Sequence, residues 1–319
     1  MGAVYATFEK LMKTSFLVCG HNSRTDLGCR VIQACLDQQD LGSDDEILLL
    51  DSGSTPPLAV PAGMEGRVRL VRVDQPGLAR ARVRGIEESR GEVLIFVDDD
   101  TVLAADYLKE ARRILGERPY LGAIGGQLLP EYEGPLPLPE KFYRERLAIR
   151  EFSGEHWSNR WDDFATSPIG GGMVVRRSVA LEWARRCQQT PWRMEMGRKG
   201  GSLSGGEDFD LLHTICGMGL GKGIFASLRL THVFPAHRLT EDFLVRITEG
   251  NARTGTLLRG LLEPGAFLPR LTWPAKIRLS MEGLRKSPIE RKLLWAEAKG
   301  RDSGALEAVG TRKKICDMA

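Results

Sequence analysis

Short apolar runs alternate with helical patterns along the first hundred residues. Four runs are of strand length, and they comprise residues 15–19, 47–50, 68–73 and 93–97. Between them, residues 27–36 and 78–86 place apolar side chains three or four positions apart, which is the spacing of a helix with one buried face. The alternation predicts βαβ units, and therefore the α/β fold class, with a Rossmann-like, mostly parallel central sheet flanked by helices.

The pattern changes in the second half of the chain. A helix over 104–115 and a strand over 121–129 are followed by residues 130–140, whose four prolines are expected to exclude a regular helix or a central strand. We expect an irregular, aromatic, acceptor-side region as far as about residue 166. Further strands are predicted at 173–175 and 224–230.

Helices complete the predicted arrangement. One is expected to begin at Glu207, and two or more to follow Thr240. The predicted domains are a catalytic domain over 1–260, with a nucleotide-binding half (15–129) and an acceptor half (130–260), and a C-terminal helical extension over 261–319.

Composition narrows the function classes. The 319 residues carry 45 basic and 42 acidic side chains, so a net charge of +3 argues against nucleic acid as a partner. Six cysteines without a C-x-x-C spacing predict reduced, buried thiols in a cytoplasmic protein. No leader pattern and no 18-residue apolar run are present, which predicts a soluble chain or one peripheral to the inner membrane face.

Polar clusters follow three of the predicted strands. They are Gly20–Asn22, Asp51 and the carboxylates Asp98–Asp100. Ligands of open α/β sheets bind beyond the carboxyl ends of the strands, so the clusters are expected to share one edge. Adjacent carboxylates repel one another unless a cation joins them, and Mg²⁺ or Mn²⁺ binds a few carboxylates together with substrate phosphates. The alternative is a solvated acidic turn, with Asp98 capping the next helix.

Six segments in this order resemble the family 2 glycosyltransferases, which have the GT-A fold. They read F-L-V-C-G-H-N-S-R (16–24), L-L-L-D-S-G-S-T (48–55), G-L-A-R-A-R-V-R-G-I (77–86), G-E-V-L-I-F-V-D-D-D (91–100), G-G-G-M-V-V-R-R (170–177) and G-G-E-D-F-D-L (205–211). The later segments look most like bacterial transferases of exopolysaccharide and hormogonium polysaccharide synthesis. The resemblance implies a nucleotide-sugar donor, expected to be UDP-linked, and a sugar, glycoconjugate or lipid-linked acceptor.

The resemblance assigns the donor pocket to four positions. Gly20 and Asn22 match the turn that lines the base pocket, and Asp51 matches the carboxylate that reads the base and its ribose. Arg82 matches an arginine near the base or the diphosphate. Val83 replaces the asparagine usual beside it, and His21 replaces a common aromatic residue, so the details of base recognition stay open.

The resemblance also implies a metal site for Mn²⁺ or Mg²⁺. Asp98 and Asp100 match the D-x-D motif, with Asp100 on the metal and Asp98 on the ribose or the metal shell. Asp99 is grouped with the donor-binding residues because it shapes this turn. His232 matches a metal-ligating histidine at a strand end. On the sequence alone, His232 is equally consistent with an ordinary core or surface histidine.

The general base is implied to be Asp208. Glu207 is the alternative base, and either carboxylate could instead stabilise the start of its helix. Two other functions remain open: a nucleotidyltransferase that makes nucleotide-sugars, and a nucleotide-sugar-binding module without catalysis. The basic, amphipathic segment 276–300 is predicted to be a helix, which is either a solvated face or a contact with an anionic membrane.

Overall fold

Four parallel strands form the first half of a central sheet. The computed structural model describes residues 12–197, 203, 205–263 and 265–318. The parallel strands, in the order β3-β2-β1-β4, are β1 (Thr14–Gly20), β2 (Glu46–Ser52), β3 (Val68–Val73) and β4 (Val93–Asp98). All four runs predicted from the sequence are strands. The strands β1, β2 and β4 are almost wholly buried, as continuous apolar runs in a parallel sheet are expected to be, whereas the edge strand β3 is partly exposed.

Beyond β4 the sheet is mixed. Its remaining strands are β5 (Thr101–Leu103), β6 (Leu121–Tyr132), β7 (Glu155–Ser158), β8 (Val174–Arg176) and β9 (Gly221–Phe234). The order continues from β4 through β8, β6 and β9 to β5, and β7 also pairs with β9. Strand β8 is antiparallel to both β4 and β6, whereas β6 and β9 are parallel. The α/β class is confirmed, and most of the parallel pairings lie among the strands of the first hundred residues.

Helices cover both faces of this sheet. They are α1 (Thr25–Leu36), α2 (Leu78–Glu88), α3 (Tyr107–Glu117), α4 (Lys141–Arg144), α5 (Arg177–Gln189), α6 (Pro191–Met194), α7 (Glu207–Gly217), α8 (Glu241–Leu262), α9 (Trp273–Gly283) and α10 (Pro288–Met318). Side chains of α1 and α3 pack on one face, and those of α2, α5 and α7 pack on the other. The even and odd residues of each central strand supply these two cores.

Two local expectations were wrong. Pro130 lies inside β6, paired with His232 of β9, although the proline run was expected to exclude a strand. At Pro130, β6 pairs with β9 on one side and with no described strand on the other. The missing N–H of proline therefore costs no hydrogen bond to a neighbouring strand. The basic segment 276–300 is two helices, because α9 ends at Gly283 and α10 begins at Pro288.

The C-terminal helix packs tightly along α8. Gly300 and Gly304 face the α8 backbone so closely that a Cβ atom would lie 2.2 Å from the carbonyl oxygens of Glu249 and Arg253, respectively. Only glycine permits this approach. The proposed domain boundary at residue 260 falls two residues before the end of α8.

Within the described residues, none of the helices is both long and apolar enough to cross a membrane. The cysteines are free thiols, as expected for a reduced protein. Their predicted burial is right for Cys19, Cys35 and Cys187 but wrong for Cys316, which is exposed near the end of α10.

Candidate active site

The three polar clusters lie at one edge of the sheet. In the parallel register, Gly20 pairs with Asp51 and Cys19 pairs with Asp98. The ends of β1, β2 and β4 are therefore level with one another. Parallel strands impose this convergence, because their carboxyl ends meet at one edge.

Asp51 is 1% exposed and serves as an anchor for the loop after β2. Its Oδ1 accepts a hydrogen bond from the Ser54 amide (2.9 Å), and its Oδ2 accepts one from Leu58 (3.2 Å) and one from the Arg72 guanidinium (2.5 Å). Burial opposes the charge, yet these donors hold the pKa of Asp51 below its usual value. The carboxylate is thus ionised and rigid where a nucleobase and ribose are predicted to bind.

The turn after β1 is held against the same loop. Asn22 adopts a left-handed backbone conformation (φ 52°), which asparagine tolerates better than most residues. The backbone N–H of Asn22 donates to Ser54 Oγ (2.9 Å), and the side-chain Oδ1 of Asn22 accepts from the backbone N–H of Thr55 (2.8 Å). A Cβ at Gly20 would lie 2.5 Å from Ser23 Oγ and 2.8 Å from a Leu58 methyl carbon, so a larger residue there would displace these side chains.

Arg82 connects the two sides of the site. It is 2% exposed on α2, and it donates to Asp98 Oδ1 (3.1 Å) and to Glu207 Oε1 (2.9 Å). Its guanidinium carbon lies 5.0 Å from the centre of the Phe96 ring. A Cβ at Gly170 would lie 2.6 Å from its NH2 atom, which accounts for glycine in the G-G-G segment. One arginine thus joins the end of β4 to the first turn of α7.

The two carboxylates that begin α7 have different surroundings. Glu207 is 4% exposed, and its Oε2 has no hydrogen-bond partner among the described residues. Burial raises the pKa of Glu207 to about 7, although Arg82 opposes the shift. Asp208 is only half-buried, and its Oδ2 accepts from the Gly170 amide at 3.3 Å. Asp208 is therefore the more accessible carboxylate, while Glu207 is engaged by Arg82.

Asp99 and Asp100 contact different side chains. Asp99 accepts a hydrogen bond from Ser23 Oγ, and burial together with the adjacent Asp100 raises the pKa of Asp99 to about 6. Asp100 Oδ2 lies 3.5 Å from His232 Nε2 and 2.5 Å from an Arg238 nitrogen. Burial opposes the charge of Asp100, but His232 and Arg238 hold its pKa well below the usual range.

The predicted metal ligands are brought together only in part. Asp100 and His232 converge because β5 and β9 pair Thr101 with His232. Asp98 instead turns one oxygen toward Arg82, and no cluster of three or more potential ligands occurs among the described residues. Two donors 3.5 Å apart can share one ion with bonds of about 2.0–2.2 Å, and a carboxylate with an imidazole suits Mn²⁺. Asp100 and His232 are therefore the residues that would hold a divalent ion at this edge, where the Arg238 guanidinium contacts the same Asp100 oxygen.

Three contacts of this site were not predicted from the sequence. Arg72 pairs with Asp51, and the register that sets them side by side on β2 and β3 could have indicated it. Ser23 binds Asp99, and Arg238 binds Asp100. Nothing in the sequence indicated Arg238, because it lies in a single 3₁₀ turn (Ala236–Arg238) after β9 that brings it to Asp100 at the end of β4.

Replacing Arg82 with methionine is expected to destabilise the fold by about 3–5 kcal/mol, since it leaves the buried Glu207 carboxylate unpaired. The loss should be smaller at pH 5 than at pH 8, because Glu207 is protonated in the folded state at the lower pH. Urea unfolding at pH 5 and at pH 8 measures the destabilisation and its pH dependence. Arg84→Met on the same helix is the control, as Arg84 is exposed and pairs only with Glu87 and Glu88 at the surface. Equal losses for the two variants would contradict a structural link through Arg82.

Comparisons with known proteins converge on one family. The model described as glycosyl transferase family 2 matches residues 15–182, more than half of the chain. A putative glycosyltransferase, EpsH, of Bacillus subtilis (strain 168) is 31% identical over 109 residues, which cover 32% of this chain and 30% of that protein. A glucosyl-dolichyl phosphate glucuronosyltransferase of Haloferax volcanii is 26% identical over 108 residues, or 33% of each chain.

These alignments span about a third of the length of both relatives. Among solved structures, GalNAc-T7 with UDP, GalNAc and Mn²⁺ aligns with a TM-score of 0.48 and 14% identity. That alignment covers 86% of this chain and 55% of the other.

Proposed function

Since the chain belongs to glycosyl transferase family 2 and has its GT-A fold, we propose that it is a metal-dependent, inverting, non-processive glycosyltransferase. It moves a sugar from a nucleotide-sugar, with a UDP-sugar as the first choice, to an acceptor hydroxyl in polysaccharide or glycoconjugate synthesis. The observation that carries the proposal is the Arg82 bridge between Asp98 at the strand edge and Glu207 beside Asp208. This bridge supports a donor side and a base side within one site.

The donor side is built from rigid polar groups. Asp51 and the Asn22 turn offer acceptors and donors for a base and ribose, and both are held by the loop after β2. Asp100 and His232 would hold a divalent ion there, which supplies Lewis-acid neutralisation of the leaving diphosphate. Arg82 and Arg238 add positive charge at the same edge. Such preorganised charges favour departure of an anionic leaving group.

The base side consists of Asp208 and the glycines before β8. Inversion requires the acceptor hydroxyl to attack from the face opposite the leaving group, with a base on that side to take its proton. Asp208 belongs to α7, whereas the metal-binding groups follow β4 and end β9. This separation lets Asp208 take the acceptor proton while it stays clear of the diphosphate.

One feature of the sequence supports a single addition to each acceptor. The Q-x-x-R-W motif of processive synthases is absent from the C-terminal part of the sequence. A glycoconjugate or a lipid-linked sugar is therefore a suitable acceptor class, and the cytoplasmic inner membrane face remains the proposed place of the reaction. Products longer by many identical sugars would contradict the non-processive assignment.

The proposed function predicts release of a nucleoside diphosphate from one of a panel of nucleotide-sugars in the presence of Mn²⁺. Chromatography of the nucleotides would measure it, with and without EDTA, alongside an acceptor panel. Release of pyrophosphate from a nucleoside triphosphate would favour a nucleotidyltransferase instead. Binding of a nucleotide-sugar without turnover on any acceptor would favour a non-catalytic module.

A further inference from the structure

Helix α9 exposes the kind of side chains that helices of globular proteins normally bury. Trp273 is 74% exposed, Ile277 45%, Met281 65%, and Leu284, directly after the helix, 79%. Phe267, in the segment that leads into α9, is 81% exposed. Clustered exposure of large apolar side chains marks an interaction surface more often than chance.

The exposed residues form one continuous face. At 100° per residue, the four positions from Trp273 to Leu284 fall within an arc of about 80°. The buried residues of α9 are Leu279 and Gly283, which project from the other side of the helix. Gly283 lies against Arg291 of α10, whose side chain a Cβ there would approach to 3.4 Å. The apolar face therefore points away from the rest of the protein.

Cationic side chains border this face. The stretch 273–286 contains four basic residues, which are Lys276, Arg278, Arg285 and Lys286, and one acidic residue, Glu282. Glu282 is paired with Lys286 at 3.4 Å, and the other three cations are exposed. A positive border around an apolar face complements a surface of anionic lipid headgroups above acyl chains.

The size of the face also favours a lipid surface. A helix of 11 residues is about 16 Å long, and one face of it covers far less than the roughly 800 Å² per partner of a stable protein interface. An interfacial helix needs only to sink its apolar side a few ångströms into the headgroup region, where tryptophan is favoured. We propose that α9, together with Phe267, is a docking surface for an anionic lipid bilayer. This surface is independent of the chemistry assigned to the catalytic site.

Co-sedimentation of the full chain with vesicles tests the proposal. The protein is expected to pellet with vesicles of phosphatidylcholine and phosphatidylglycerol, and much less with pure phosphatidylcholine. Trp273→Ser with Leu284→Ser should weaken binding by about tenfold or more, through lost apolar burial. Arg278→Ala with Arg285→Ala should weaken it by about 30-fold at low salt, at roughly 1 kcal/mol per cation.

Matched controls come from other exposed positions. Leu306→Ser with Val309→Ser removes two exposed apolar residues of α10, and Arg67→Ala with Lys109→Ala removes two exposed cations elsewhere. Both controls should bind vesicles as the unmodified protein does. Three results would overturn the proposal: no binding of the unmodified protein, equal losses in the controls, or a dimer seen by light scattering that the α9 variants dissociate.

Discussion

Asp208→Asn is expected to lower the rate of sugar transfer by about 10²–10⁴-fold while leaving the affinity for the nucleotide-sugar unchanged. The reason is that asparagine keeps the size of the side chain and its contact with the Gly170 amide but cannot accept the acceptor proton. Single-turnover transfer measures the rate, and calorimetric titration of the donor measures the affinity. Loss of both would make Asp208 a structural residue.

Glu207→Gln separates the two candidate bases. Glu207 is buried against Arg82, so its amide variant should perturb the position of α7 and lower transfer less than Asp208→Asn does. Comparing the transfer rates of the two variants in the same assay shows which carboxylate contributes more to transfer. A larger loss for Glu207→Gln, with unfolding in urea unchanged, would transfer the role of base to Glu207.

Asp100→Ala is expected to abolish the effect of Mn²⁺ on binding of a nucleoside diphosphate. The variant removes one of the two protein groups that converge at 3.5 Å and leaves Arg238 without its carboxylate. Partners that merely orient metal ligands are worth about 10–100-fold in affinity, so loss of a direct ligand should cost at least about 100-fold. Titrations with Mn²⁺ and with EDTA measure the difference.

His232→Ala should reduce the same Mn²⁺ effect by removing the second ligand. Asp162→Ala is the matched control, because Asp162 is a surface carboxylate paired with Arg160. Retention of the full Mn²⁺ effect in Asp100→Ala would contradict the metal assignment.

The sequence predicted the sheet edge because parallel strands follow simple rules. Apolar runs located β1, β2 and β4, and the common direction of these strands placed Gly20, Asp51 and Asp98 level with one another. The same rule located Asp100 just beyond β4. These positions needed only local patterns and the register of neighbouring strands.

Long-range side-chain pairing could not be predicted in this way. Arg82 and Glu207 are separated by 125 residues, and their contact depends on how α2 and α7 pack on the same face of the sheet. Arg238 reaches Asp100 from a 3₁₀ turn of three residues, which is too short to show a periodic pattern. Pro130 was misjudged because the rule against proline in strands does not apply where one side of the strand is unpaired.

The central claim is that a metal-bound donor diphosphate lies at Asp100 and His232, with Asp208 on the acceptor side. Crystals containing Mn²⁺ and UDP, measured at the manganese absorption edge, test it most directly. We expect an anomalous peak that adjoins the Asp100 carboxylate, the His232 imidazole and the diphosphate, with the uracil of UDP near Asp51. A peak elsewhere, or UDP bound at this edge without manganese, would contradict it.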